Sequence, residues 1–186
     1  MTITFVSAPS GADSVIVSFL QDIIDGGSLS EADTNNKINT NDVSSSNPIK
    51  MYYVDCNEFE KTKSLIKAAR TTGWRYLLWS GGSAVSDLHL NMHDANLIVS
   101  SMTLDGPIPV STVEALLAAE MDSRVQQQDY EVRQLNLPWC YFVALWLHNP
   151  IHDIIIPLKS TLIHGITIQK LYEVEEISNK IIAQIG

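Results

Sequence analysis

The stretch that decides the fold prediction is residues 131–158, EVRQLNLPWCYFVALWLHNPIHDIIIPL. It contains three strand-length segments, 131–137, 141–147 and 153–158, joined by short connections that carry proline. Both faces of segment 141–147 are apolar under strand alternation, which predicts a central strand covered on two sides. The short connections favour antiparallel neighbours in this part of the chain.

Upstream of this stretch, strand and helix patterns alternate, which favours βαβ units and a largely parallel sheet. Strands are predicted at 2–7, 51–55, 76–79 and 96–100, and helices at 12–24, 57–72 and 111–128. Gly73 is predicted to close the second of these helices. Ser111 and Glu114 are predicted to open the third as a capping box.

We therefore predict a single α/β domain over residues 1–186, with an α+β arrangement as the alternative. Its sheet is expected to be mixed and partly parallel, with helices on both faces and an antiparallel C-terminal extension. Residues 165–169 are predicted as one further strand, and a final helix is expected from Val174. The polar stretch at about 25–48 is predicted as an insertion.

Composition and charge exclude several classes of protein. The 186 residues are 45% hydrophobic and 18% charged, which is typical of globular proteins and unlike collagen, coiled coils or disordered chains. Twelve basic and 21 acidic residues give a net charge of −9, which does not favour binding to nucleic acid or to an anionic membrane. Two cysteines are too few for a disulfide framework, and no secretory signal or membrane span is recognisable. A cytoplasmic protein is therefore expected.

Two Gly/Ser turns are candidate phosphate or nucleotide sites. Each is predicted to connect a strand to a helix, and exposed backbone amides at such a turn bind anions at the edge of an open sheet. Neither matches a P-loop or a dinucleotide fingerprint, and small-residue clusters are more often plain turns. The residues concerned are Ser10, Gly11, Gly81, Gly82 and Ser83.

Acidic residues at strand ends and helix starts are candidate catalytic groups. Asp55 follows a predicted strand, and Asp105 and Glu114 flank the start of the predicted third helix. Residues 95–119, with ANLIVS at 95–100, DG at 105–106 and STVE at 111–114, resemble nucleoside deoxyribosyltransferases and the related Toll/interleukin-receptor-like NAD hydrolases. The resemblance implies that Glu114 is catalytic and that Asp105 lies beside the substrate. The capping box explains Ser111 and Glu114 without any chemistry.

Histidines and a cysteine give a third group of candidates. The spacing His-x3-His-Asp occurs twice, at His89–Asp94 and at His148–Asp153, and histidines four apart share a helix face that can bind zinc. Pro150 prevents a helix in the second copy, and the alternative interpretation of both copies is that they are ordinary turn residues. Cys56 at a predicted helix start is a candidate nucleophile, although the neighbouring Asp55 repels a thiolate.

These features support three functional hypotheses. The first is a binding or accessory domain that acts through protein contacts, either with a partner or by self-association. The second is a small α/β enzyme or sensor for a nucleotide or nucleoside, with Asp55, Asp105 and Glu114 at its site. The third is a metal-dependent or Cys/His-dependent hydrolase. No cofactor and no set of metal ligands is indicated by the sequence.

Overall fold

The computed structural model describes residues 3–26, 42–104 and 106–185. In these residues five α-helices and ten strands form a mixed α/β fold, as predicted. The chain divides into two compact units. The first unit comprises residues 1–6, 49–72 and 111–186, and the second comprises residues 7–48 and 73–110.

The first unit contains the mixed part of the strand pairing. Both β1 and β3 run parallel to β7, whereas β7, β8, β9 and β10 pair antiparallel in succession. The strands are β1 (Ile3–Thr4), β3 (Ile49–Val54), β7 (Tyr130–Leu137), β8 (Phe142–His148), β9 (Ile154–Pro157) and β10 (Tyr172–Glu173). The helices are α2 (Cys56–Thr62), α3 (Leu65–Ala68), α4 (Pro107–Met121, of which residues from Ser111 belong here) and α5 (Val174–Ile185).

The core of the first unit lies where α2, α3 and α5 pack against one face of these strands. Phe59, Leu65 and Ile177 from the helices are fully buried with Leu135 and Trp146 from β7 and β8. The opposite face of β8 is buried as well, through Leu145 and Leu147. The prediction that segment 141–147 is a strand covered on both sides is therefore confirmed, and so is the antiparallel C-terminal extension.

The second unit is an antiparallel meander with one helix. It contains α1 (Ala12–Asp25), β2 (Ser44–Ser45), β4 (Ala69–Ser80, of which residues from Gly73 belong here), β5 (Ser83–His93) and β6 (Asn96–Leu104). Strand β4 pairs with β2 and β5, and β5 pairs with β6. Ala12 and Ile16 of α1 pack with Tyr76, Leu88 and Leu90 to form its core.

The meander overturns the prediction of parallel βαβ units in residues 69–104. Strand β5 lies in a stretch for which no strand was predicted, and two-residue loops connect it to both neighbours. Gly81 and Gly82 have φ of 56° and 77°, and Asp94 and Ala95 have φ of 47° and 65°. Two successive residues with positive φ make the tight turn that matches the twist of antiparallel strands.

The predicted helix over residues 57–72 is also wrong. Helix α2 ends at Thr62 because Lys63 adopts a left-handed conformation, with φ 52°. Ser64 then caps the one-turn helix α3 through its hydroxyl, which accepts a hydrogen bond from the Lys67 amide. Strand β4 begins directly afterwards at Ala69, so Gly73 lies within a strand and does not close a helix.

Two further predictions need correction. Helix α4 begins at Pro107, and Ser111 and Glu114 therefore lie inside it and form no capping box. Proline suits a first helical position because its missing N–H has no helical partner there. Residues 165–169 form turns and no strand.

Most of the predicted polar insertion, residues 27–41, lies outside the described residues. The segment after it runs along β4, where the Ser46 amide donates to the Leu77 carbonyl at 2.8 Å. None of the helices in the described part of the chain is long and apolar enough to cross a membrane.

Candidate functional sites

Asp55, a predicted catalytic residue, is the N-cap of α2. Its Oδ1 accepts hydrogen bonds from the amides of Asn57 at 2.9 Å and Glu58 at 3.2 Å. An N-cap carboxylate satisfies amides that have no partner within the helix and interacts favourably with the helix dipole. This structural role accounts for the aspartate at the strand end without any chemistry.

We expect Asp55→Ala to lower the free energy of unfolding by about 1 kcal/mol, because two amides of α2 lose their acceptor. Asp55→Asn keeps a side-chain oxygen at the cap and should remain close to the unmodified protein. Urea unfolding followed by tryptophan fluorescence measures both variants. An equal loss in both would contradict the capping role and would assign the effect to the charge.

Glu114 and Asp105 are the other predicted catalytic carboxylates. Glu114 is an exposed residue of α4, and its side chain contacts no group of the described residues through a hydrogen bond or an ion pair. Asp105 lies outside the described residues. The catalytic assignment of these two residues and Asp55 therefore stays a prediction.

The two Gly/Ser turns differ from each other. Ser10 is exposed, and Gly11 is the N-cap residue of α1, so this turn does lead into a helix, as expected. Gly81 and Gly82 form a β-hairpin loop that ends at Ser83, and no helix follows it. The Gly81 amide already donates to the Asp42 carboxylate at 3.0 Å. The second turn therefore lacks the following helix on which the phosphate prediction rested, and one of its amides already has a carboxylate acceptor.

Cys56 begins α2, but its surroundings do not activate the thiol. Its Sγ lies 3.8 Å from the carboxylate of Glu60. Desolvation raises the pKa of Cys56 above its ordinary value, and the charges of Glu60 and Asp55 raise the pKa further. A raised pKa keeps the thiol protonated and opposes a nucleophilic role.

The first histidine pair lies on a strand and not on a helix. His89 and His93 both belong to β5, where four residues span about 13 Å. That separation is too large for two ligands of one metal ion. His89 lies 3.5 Å from Asp87, and burial lowers the pKa of this histidine despite the opposing charge of Asp87.

The second histidine pair is divided between two carboxylates. His148 Nδ1 lies 2.7 Å from the carboxylate of Asp153, which also accepts a hydrogen bond from the Trp146 indole. His152 contacts the other carboxylate, with its Nε2 2.5 Å from Glu173. Within residues 3–26, 42–104 and 106–185, no three His, Cys, Asp or Glu side chains cluster as metal ligands. The arrangement links neighbouring strands of the first unit and does not gather a metal site.

A feature that sequence reasoning missed is the free edge of β6. This nine-residue strand, NLIVSSMTL, spans about 30 Å and pairs with β5. Among the described residues no strand pairs with its outer edge. It contains no proline and no charged residue, which are the devices that proteins commonly use to protect an exposed edge. A bulge between Val99 and Ser101 is its one irregularity.

A groove runs between this edge and α1. Its volume is about 390 Å³, and it is open to solvent along its length. Five residues of α1 line one wall, and three consecutive residues of β6 line the other: Ser14, Val15, Ser18, Phe19 and Asp22, with Leu97, Ile98 and Val99. Apolar side chains therefore lie beside a row of backbone groups that face outward.

The charged residues of α1 beside this groove are all acidic. Helix α1 carries Asp13, Asp22 and Asp25 and has no lysine, arginine or histidine. Asp22 lines the groove and forms no ion pair with the described residues. The groove thus offers apolar contact, main-chain hydrogen-bonding groups and one unpaired carboxylate.

The amino-acid sequence alone contains part of the evidence for this unprotected edge strand. Residues 96–104 are apolar or small and uncharged, which is unusual for a strand exposed at an edge. Their position at an edge depends on strand order, which the sequence does not show.

Compared with models of known protein families, with curated proteins and with solved structures, the chain matches none of them. The function must therefore be argued from the geometry of the chain itself.

Proposed function

We propose that this protein is a cytoplasmic binding module that accepts an extended segment of a partner protein as an added strand on β6. The observation that carries the proposal is the conjunction of the free nine-residue edge with the groove between β6 and α1. In strand addition, main-chain hydrogen bonds supply affinity, and alternate side chains of the added strand enter pockets beside it. Two cysteines without a disulfide suit the reducing cytoplasm.

The groove defines the chemistry of the partner segment. Val15, Phe19 and Leu97 offer an apolar surface to every second side chain of the added strand. Asp22 offers a negative charge to one of them. The favoured partner is therefore an extended segment with alternating apolar residues and at least one lysine or arginine.

A second copy of this chain fits the groove less well. Its β6 has no basic residue to place beside Asp22. Two copies that each carry a net charge of −9 also repel each other as they approach. The charge pattern therefore favours a basic partner protein over self-association.

A synthetic eight-residue peptide that alternates valine and threonine and ends in lysine provides the test. We expect this peptide to bind in calorimetry and to slow amide hydrogen exchange in β6, because its backbone covers the free edge. Ile98→Lys should weaken binding at least tenfold, or about 1.4 kcal/mol, because it places a charge on the edge and opposite the peptide lysine. Asp22→Asn should weaken binding by about two- to fivefold, as expected for an exposed ion pair.

Met121→Lys is the matched control, since Met121 is 83% exposed on α4 and belongs to the other unit. It should bind the peptide like the unmodified protein. Unchanged hydrogen exchange in β6 at saturating peptide would overturn the proposal. So would a concentration-dependent dimer that protects β6 without peptide, because the occupant would then be a second copy.

A further inference from the structure

A second cavity lies in the first unit, where the parallel strands β3 and β7 end. It has a volume of about 310 Å³, at the small end of the range for small-molecule sites. Tyr53, Asn136 and Val143 are register partners across β3, β7 and β8, and their side chains line its floor. Ligands of open α/β sheets bind at the carboxyl ends of parallel strands, and this cavity occupies that position.

Two tyrosines line the cavity from different elements. Tyr53 of β3 and Tyr141 line it together with Thr72 and Pro138, and Tyr141 is 63% exposed. Side chains of this kind offer flat surfaces on which a planar ring can stack. The volume suits one aromatic ring or two fused rings.

Two polar side chains of the cavity, those of Lys159 and Asn136, supply hydrogen-bond donors. Lys159 is its one charged lining residue, and this lysine has no acidic partner in the part of the chain that the structure describes. The amide of Gln134 donates to Asn136 Oδ1 at 3.0 Å. The NH₂ group of Asn136 is therefore left as a donor toward the cavity.

The conformation of Tyr141 is a further sign of a ligand site. Tyr141 follows a short 3-10 turn and has φ of 54°, a left-handed conformation that is unfavourable for a tyrosine. Backbone strain of this kind concentrates where a side chain is held for binding. Because the ring is largely exposed, burial in the core does not explain why a tyrosine occupies this position.

We infer that this cavity binds a planar aromatic ring that carries a single carboxylate. The ring stacks between Tyr53 and Tyr141, and the carboxylate accepts hydrogen bonds from the Lys159 ammonium and the Asn136 amide. A single cation matches a monoanion, whereas phosphate sites commonly use several backbone amides or an arginine. The inference is independent of the peptide groove, which belongs to the other unit.

Naphthoate and its neutral analogue naphthamide provide the test. Titrations followed by NMR shifts of the protein amides should show that naphthoate binds at least tenfold more tightly than naphthamide. Lys159→Met should abolish this preference and leave weak binding of both compounds. Lys67→Met, which removes an exposed charge on α3, should retain the preference.

Tyr141→Gly separates a binding role from a structural one. Glycine adopts positive φ without strain, so the variant should unfold at the same temperature as the unmodified protein or higher. It should nevertheless lose at least tenfold in affinity for naphthoate. The inference is overturned if naphthoate and naphthamide bind equally, if neither binds, or if a nucleoside monophosphate binds while naphthoate does not.

Discussion

Asp87→Ala is expected to lower the free energy of unfolding by about 3–5 kcal/mol, a large part of the stability of a typical protein. Asp87 and Arg75 form a salt bridge between the paired strands β4 and β5. Arg75 is completely buried, and Asp87 is 3% exposed. Removal of the carboxylate takes away a counter-charge of a completely buried guanidinium, and much of the cost of desolvating that cation is then no longer offset.

The hydrogen bonds between Arg75 and Asp87 explain why the loss of stability should be so large. Both Arg75 Nε, at 3.0 Å, and the Arg75 terminal nitrogen NH2 donate to Asp87 Oδ2. Burial lowers the pKa of Arg75, and the charge of Asp87 opposes that effect. The second carboxylate oxygen, Oδ1, is buried without a hydrogen bond, so the pair is held by one oxygen alone.

Urea unfolding followed by tryptophan fluorescence measures the effect, with Glu114→Ala as the control. Both changes remove one acidic side chain, but Glu114 is exposed, and its loss should change stability by less than about 0.5 kcal/mol. Replacement of both residues by apolar ones, Arg75→Met with Asp87→Leu, should restore most of the stability, because both buried charges are then removed. If the double variant were as unstable as Asp87→Ala, lost packing and not the lost counter-charge would be the cause.

The C-terminal strands are the part of the fold that the sequence predicts best. In residues 131–158 the buried strands are apolar runs of strand length separated by turns, and this pattern is sufficient to find them. Strand β5 has the same signal in Leu88, Leu90 and Met92. The spacing of His89 and His93 in the same residues is also typical of a metal site, and this second pattern obscures the strand in the sequence.

Other errors have causes that no local pattern contains. Phe59, Leu65 and Ile66 have helical spacing, but the left-handed Lys63 divides the helix between them. Strand β4 begins at Ala69 because it joins a sheet, and pairing of this kind overrides helix propensity. The groove beside β6 is composed of residues 14–22 and 97–99, which are distant in sequence and meet when α1 packs on the meander.

Gly73→Ala is expected to lower the free energy of unfolding by about 3 kcal/mol or more, through steric overlap and unfavourable backbone conformation together. A Cβ at this position would lie 2.1 Å from the Asn91 side-chain oxygen and 2.2 Å from the Leu90 carbonyl oxygen. The Asn91 side chain can rotate away. The Leu90 carbonyl cannot, because β5 is paired with strands on both sides.

Gly81→Ala is the matched control for this change. Gly81 also has positive φ, 56°, but a Cβ there would meet no atom within 4 Å. Gly81→Ala should therefore lower the free energy of unfolding by only about 1 kcal/mol, which is the cost of holding alanine in a left-handed backbone conformation. If the two variants unfolded at the same urea concentration, the close approach of β5 to Gly73 would not limit stability. A clearly larger loss for Gly73→Ala would show that this glycine, which sequence reasoning assigned to a helix end, is required where β4 and β5 lie too close for a side chain.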